Sequence, residues 1–385
     1  MLRTVIADRS DQLEVYRSQW DELAIASARP YSSPSWILPW WAHVAPPNAL
    51  LRTVLVFDGN ELVGVAPFYA DRGVGGITRY RIAGSARRDV VTLGQMESDV
   101  AEAVAHALTC TTPTVDTFML EGVPASRTWP SVMQESWQVG RMSSSLQYAQ
   151  PAPNIDLRGR TYEEWFASKS RNFRQGMRRR LRKVEDAHGR FHLASNPADA
   201  QRRLREFARL HHLRWQSRGG SSALDDDVEV MLQDVCAELI ERARFRLWSL
   251  DIGGTVVGSV VFVSAGRETS YWLGGFDERW AALEPTLLIL LNAVRHSLSV
   301  GDVRIDLGAG GQQYKYRFSD GEDELQWSLL VRSGVRSPIA RAQMLPQRTR
   351  MTLAQRTPAR LKKRIRQARG VVTRAERSHA EPSPE

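Results

Sequence analysis

Arg244 to Phe318 constrains the fold more than any other stretch, because its apolar pattern changes period several times in a short distance. R-F-R-L-W-S-L-D-I alternates apolar and polar residues, Gly253-Gly254 supplies the backbone angles of a two-residue hairpin turn, and T-V-V-G-S-V-V-F-V resumes the alternation. The pattern predicts antiparallel strands over about 245–251 and 255–264, and a third over Thr269 to Gly275. Pro285 opens an apolar helical run, Thr286 to Leu298, and Gly301-Asp302 turns into the strand Val303 to Leu307. A strand, helix and strand in succession form a crossover unit, so the third and fourth strands are expected to be parallel. Ligands of such units gather at strand C-termini and the helix N-terminus, where free N–H groups favour anions. That directs attention to Gly274 and Gly275, to Thr286 after Glu284-Pro285, and to the turn from Gly308 through Gly310 and Gly311 to Lys315.

An earlier hairpin has the same form. Leu51 to Phe57, Asp58-Gly59 and Leu62 to Tyr69 align with the first at an offset of 194 residues, which places Gly59 on Gly253, Gly64 on Gly258 and Phe68 on Phe262. A repeated unit of this size implies two copies of one fold in tandem. The first copy continues through Tyr80 to Ala83, a helix near Asp99 to Leu108 and the strand Asp116 to Glu121. It has no counterpart of the D-L-G-A-G-G-Q-Q-Y-K turn (Asp306 to Lys315), so it is expected to shape a cleft without holding a donor. Before it lie a short strand, Thr4 to Ala7, and a helix from about Ser10 to Ala26. Trp36, Trp40 and Trp41 follow, as core residues or as the lining of a sugar or acyl site.

The charge must be divided before it is read. The 385 residues carry a net charge of +9, but residues 336–385 hold 13 Lys and Arg against 3 Asp and Glu. That leaves the body, 1–335, near −1. The expected division is 1–150 and 151–335, with a boundary near Pro151 and Pro153, followed by a basic, partly disordered extension, 336–385. An extension of this kind serves an anionic membrane surface, nucleic acid or solubility. The longest apolar run, Leu287 to Leu291, is far short of the ~20 residues of a membrane span, and no secretory leader is read at the start. Cys110 and Cys236 form no disulfide framework or metal motif. A cytoplasmic place, peripheral to the membrane's inner face at most, and no metal are the expectations.

Lys169 to Lys183 carries eight basic residues and no acidic one. Phe173, Met177, Leu181 and Val184 recur at helical spacing as a packing face, and Arg171, Arg174, Arg178 and Arg182 form a second stripe. That stripe is a solvated face or an anion site for CoA phosphates, a nucleotide-linked acceptor or tRNA, since arginine's planar fork suits phosphate. On the helix Leu204 to Trp215, His211 and His212 diverge by about 100° and cannot share a metal. His212 is a candidate base or substrate contact. The R-G-G-S-S loop, Arg218 to Ser222, is a further candidate for anion binding.

S-K-S-R-N-F-R-Q-G-M-R-R (Ser168 to Arg179), L-H-H-L-R-W (Leu210 to Trp215) and D-L-G-A-G-G-Q-Q-Y-K-Y-R-F (Asp306 to Phe318) resemble two families related to the GNAT N-acyltransferases. These are the CelD-like acetyltransferases of cellulose biosynthesis and the Fem aminoacyltransferases of peptidoglycan. The resemblance covers about 1–335 and is strongest over 155–320. It implies an α/β chain of mixed sheets: tandem GNAT-like domains, each a mostly antiparallel sheet with a parallel crossover pair flanked by helices. It implies acetyl-CoA or another acyl-CoA as donor and a small amine or amino-sugar acceptor, with aminoacyl-tRNA as the Fem-like alternative. It also favours Arg171 and Arg174 as cleft contacts.

Acyl transfer to an amine needs a deprotonated amine, a stabilised oxyanion and a proton for the leaving thiolate. Neither cysteine sits in a nucleophile motif, so direct attack in a ternary complex is expected. By analogy with GNATs, the strand Thr269 to Gly275 faces the thioester, Tyr314 is the leading acid with Tyr316 second, and Lys315 stabilises the oxyanion. Asp306 is a base, or it orients Lys315 or Arg317. The usual GNAT pyrophosphate signature is absent; E-R-W-A-A-L-E-P, Glu278 to Pro285, stands in its place.

Overall fold

The computed structural model describes residues 2–84, 87–216, 221 and 223–342. Most of the Arg218–Ser222 loop and the basic extension from 343 onward lie outside the described residues. The N-terminal half runs β1 (Arg3–Ala7), α1 (Ser10–Glu14), α2 (Arg17–Ala26), α3 (Pro34–His43), β2 (Leu50–Asp58), β3 (Glu61–Arg72), β4 (Thr78–Ile82), β5 (Val91–Thr92), α4 (Glu97–Thr109), β6 (Thr117–Pro124), α5 (Trp129–Glu135) and β7 (Met142–Asp156). The C-terminal half runs α6 (Tyr162–Ser168), α7 (Arg171–Asp186), β8 (Arg190–Leu193), α8 (Pro197–Gln216), α9 (Asp226–Leu239), β9 (Phe245–Ile252), β10 (Thr255–Ala265), β11 (Glu268–Phe276), α10 (Pro285–Ser299), β12 (Arg304–Asp306), α11 (Gln313–Phe318) and β13 (Gly321–Arg332). The helix expected over Ser10–Ala26 is broken at Val15-Tyr16, where Tyr16 leaves helical geometry to cap α2.

The two halves repeat one topology. β2–β3 and β9–β10 are antiparallel hairpins, β4 and β11 extend them, and α4 and α10 cross over to β6 and β12, which pair parallel to β4 and β11. The aligned glycines have the same use in each. A Cβ on Gly64 would stand 2.5 Å from the Val100 side chain of α4, and one on Gly258 would stand 2.6 Å from Pro285 Cβ of α10. Each crossover helix therefore rests directly on strand backbone.

The halves are also interleaved. The strand order is β1-β2-β3-β4-β6-β13-β7-β12-β11-β10-β9-β8, one continuous mixed sheet. β7, the last strand of the first half, pairs with β12 of the second, whereas β13, the last strand of the second, pairs with β6 of the first. The Pro151-Pro153 stretch, expected to mark a boundary, lies instead within β7, and β7 and β13 are central strands paired to each other at the seam. The carbonyls of Pro151 and Pro153 receive the N–H groups of Gly310 and Leu307, so these prolines help fix the turn after β12.

Three cores result. One lies between the halves, where Trp20, Trp36 and Trp40 of α2 and α3 meet Phe207, Met231 and Val235 of α8 and α9. Trp36 and Trp40 are thus core residues, and Trp41 packs against the same cluster. The second packs α6, α7 and α10 on β9–β11, and the third packs α4 and α5 on β2–β6. Residues 287–291 are all buried in the second, the environment that suits a helix apolar on every side.

Candidate active site

β11 and β12 pair only over three residues, Glu268 to Ser270 with Arg304 to Asp306. Beyond Ser270 the two strands part, and a cleft of ≈ 290 Å³ opens there. Its walls come from both halves: Tyr271, Asp306 and Gly308 from the second, Tyr31, Arg87 and Glu121 from the first. Trp327 of β13, in ring contact with Tyr148 of β7 (5.3 Å), stands at the seam.

The turn after β12 is built around Lys315. Gly308 (φ 74°) and Gly310 (φ 105°) take left-handed angles that favour glycine, which curls the backbone so that its carbonyls face inward. Lys315, on α11 and 4% exposed, donates from Nζ to Gly308 O (2.9 Å) and Ala309 O (2.7 Å). Burial lowers its pKa to about 8, partly opposed by Asp306. Gly311 takes no left-handed angle, and a Cβ there would stand 3.5 Å from Pro151 and from Tyr316, an ordinary contact. Burial raises the pKa of the Tyr314 and Tyr271 phenols, strongly so for Tyr271, and the two hydroxyls are electrostatically coupled. Both remain proton donors across the neutral range. The Tyr271 hydroxyl lies over Gly274, where an added Cβ would stand 2.6 Å away, with Thr286 Cγ2 at 3.3 Å. Thus Tyr314, Lys315, Tyr271, Gly274, Thr286 and Gly308 are brought together.

Other residues are placed differently. Asp306 orients neither Lys315 nor Arg317 by a hydrogen bond. Its Oδ2 receives Arg87 Nη1 (2.7 Å) and its Oδ1 receives Gly308 N–H (2.9 Å). Arg317 instead lies 3.8 Å from Glu284. Arg87 also donates to Asp323, which pairs with Arg304. Arg88 and Arg81 share Glu121, whose carboxylate they hold below its ordinary range against the opposing effect of burial. Arg87 and Arg88, from a loop with no motif, are the part of the site that sequence reasoning missed. Tyr316 is 46% exposed and donates to Glu322, away from the cleft.

Gly275 serves packing: a Cβ there would stand 2.8 Å from the backbone N of His211, so α8 lies directly against β11. His212 is exposed and paired with Glu229. Its neighbour His211 is fully buried, with neither ring nitrogen hydrogen-bonded, and burial lowers its pKa to about 4. The series Leu204, Phe207, Ala208, His211 has core spacing, a signal that marks His211 as the inward imidazole. Arg174 donates to Ala167 O, and Arg171 is exposed at the start of α7. Neither lines the cleft. At the start of α10, Glu284 (φ 49°) pairs with Arg180 of α7 at 2.7 Å, a carboxylate where a GNAT pyrophosphate would approach. No group of residues suited to a metal occurs among the described residues, nor does any helix long and apolar enough to cross a membrane.

A parted pair of parallel strands, a crossover helix between them and a site at their C-terminal ends make up a GNAT-like fold. Residues 171–316 match the family model of the acetyltransferase (GNAT) domain. The fold resembles that of FemX, with a TM-score of 0.62 and 11% identity over 85% of this chain and 98% of that one. It also resembles a conserved protein of unknown function from Bacteroides thetaiotaomicron, at 0.55 and 10% over 86% and 100%. No curated protein sequence matches the chain.

Proposed function

We propose that the protein transfers an acyl group, acetyl first among candidates, from acyl-CoA to an amine of a sugar or envelope-polysaccharide precursor. The observation that carries this reading is the convergence of the Tyr271–Tyr314 hydroxyl pair and buried Lys315 where β11 and β12 part. The thioester lies along the free edge of β11, and the acceptor enters the cleft at the seam. There Arg87, Arg88, Asp306 and Glu121 offer a charge-balanced set of donors and acceptors, and Trp327 and Tyr31 supply aromatic surface, a lining suited to a polyhydroxylated ring. The amine nitrogen attacks the carbonyl carbon, the C–S bond breaks, and Tyr314 protonates the departing sulfur. The proton lost by the amine balances that gain. Lys315 holds the Gly308–Ala309 carbonyls, and its remaining N–H stabilises the oxyanion. Asp306, with both oxygens engaged, serves as the strut that ties Arg87 to the turn.

Glu284 favours one further reading. A carboxylate at the first turn of α10 suits a donor with no pyrophosphate at that point, as in the aminoacyl-tRNA chemistry that the Fem-like resemblance implies. Calorimetric titration of the full chain with acetyl-CoA, longer acyl-CoAs, free CoA and charged or uncharged tRNA separates the two. Micromolar binding of an acyl-CoA, weakened by Lys315→Ala, supports the first reading. Binding of charged tRNA alone replaces it with the second.

A further inference from the structure

α7 has an exposed basic face that the transfer chemistry does not use. Its 16 residues include seven Arg and Lys against two acids near the C-terminal end, in a body whose net charge is close to zero. The helix is fixed from behind: Phe173, Met177 and Val184 are buried, Arg180 pairs with Glu284, and Phe173 meets Phe318 of α11 at 4.9 Å. On the outer side, Arg171, Arg178, Arg179, Arg182 and Lys183 are exposed. None has a carboxylate within ion-pair distance among the described residues, although Arg178 lies over the Phe166 ring at 5.4 Å. Arg171, Arg178 and Arg182 fall within about 40° of one another around the axis and span about 16 Å along it. Keeping such a row of like charge unpaired is electrostatically unfavourable unless an anionic surface faces it.

We propose that α7 docks the protein on an anionic lipid surface. The row is straight and rigid, so its guanidinium groups meet a plane of phosphates together, and arginine forms forked hydrogen bonds with phosphate oxygens. The exposed positions carry no aromatic side chain on which a base could stack and no large apolar one that could insert. That excludes the usual means of gripping single-stranded nucleic acid and makes the contact adhesion rather than insertion. Because α7 abuts α11 and the start of α10, docking brings the side of the domain bearing Tyr314 and Lys315 close to the lipid. The inference does not depend on which acyl donor is used.

The test is partition of the full chain onto vesicles of equimolar phosphatidylglycerol and phosphatidylcholine, compared with pure phosphatidylcholine. The basic extension also attracts the anionic vesicles, so the readout is the difference between the intact chain and the variant R171Q/R178Q/R182Q. At about fivefold per basic residue near the surface, the variant partitions about 10²-fold more weakly. The charge-retaining R171K/R178K/R182K chain, with the same melting temperature, keeps its partition. A triple variant whose partition stays within about twofold of the intact chain overturns the proposal, because that leaves α7 less than one basic residue's share. So does a variant that keeps its vesicle binding but loses tRNA binding, which assigns the surface to RNA.

Discussion

The crossover of the first half is plugged and that of the second is open, although both are built on the same strands. In the first half, the segment after β6 sends Arg127 and Trp129 into the place that the Gly308–Lys315 turn leaves free in the second. Arg127 pairs with Asp89 (3.1 Å) and Glu97 (2.8 Å), Trp129 Nε1 donates to Asp89, and Glu97 Oε1 receives the N–H groups of Thr128 and Trp129. Glu97 is the first residue of α4, the position facing the ligand in a GNAT crossover, so the first half has internalised its own anion. In the second half, glycines and a buried lysine hold the same region apart. The difference teaches that a duplicated fold keeps one working cleft by filling the other with a satisfied polar cluster. The filled copy then spends its loop on the neighbour, sending Arg87 across the seam to Asp306 and Asp323.

The sharpest way to break this comparison is to empty the plug. Trp129→Ala removes a fully buried indole and leaves Asp89 short of a donor, at an expected cost of about 3–5 kcal/mol in denaturant unfolding. Turnover per folded molecule should stay near the wild-type value. Lost turnover in chains that remain folded contradicts a purely structural first-half crossover.

The converse experiment acts on the open copy. Lys315→Ala should lower turnover about 10²–10³-fold, measured as CoA release, the range seen when one oxyanion donor is removed. The pH dependence sharpens it. With the Lys315 pKa near 8, a role for the cation predicts that turnover falls as pH rises through about 8, whereas a basic limb that rises there makes the neutral amine the active form. Stability moves the other way. The unfolded chain binds this proton more tightly than the folded one, so the burial cost is fully present below about 8 and is relieved as pH climbs toward the free-lysine value of 10.5. Tyr314→Phe should cost about 10²-fold, the lower end for a single proton donor, with little change in acyl-CoA affinity.

How much of this was legible follows from the range of each interaction. The hairpins, the crossover and the 194-residue offset are local patterns, and the strands and α10 stand within three residues of where periodicity placed them. The glycine-lysine turn was visible as a cluster. Its partner was not: Arg87 meets Asp306 across 219 positions, and nothing in an isolated Arg-Arg pair shows which carboxylate it will find. The exchange of β7 and β13 was equally hidden, because alternating strands state which face is buried but not which edge they pair with. His212 was chosen over His211, although the core spacing of Leu204, Phe207 and Ala208 identifies the buried one.

The smallest expected effect tests the repeat itself. Gly64 and Gly258 were aligned from sequence, and in both halves the missing Cβ is what lets the crossover helix lie on the strand. If the equivalence is physical, Gly64→Ala and Gly258→Ala should both destabilise, by about 1–3 kcal/mol, the usual cost of overpacking by a methyl group. The contacts differ in kind: Val100 is a side chain that can rotate, whereas Pro285 is a ring fixed at the first turn of α10. Gly258→Ala should therefore be the more costly and should also slow turnover, since any shift of α10 carries Thr286 away from the Tyr271 hydroxyl. Gly64→Ala should leave turnover alone. Equal losses of activity in the two variants would show that strain in the plugged copy reaches the cleft through the shared seam of β13 and β7.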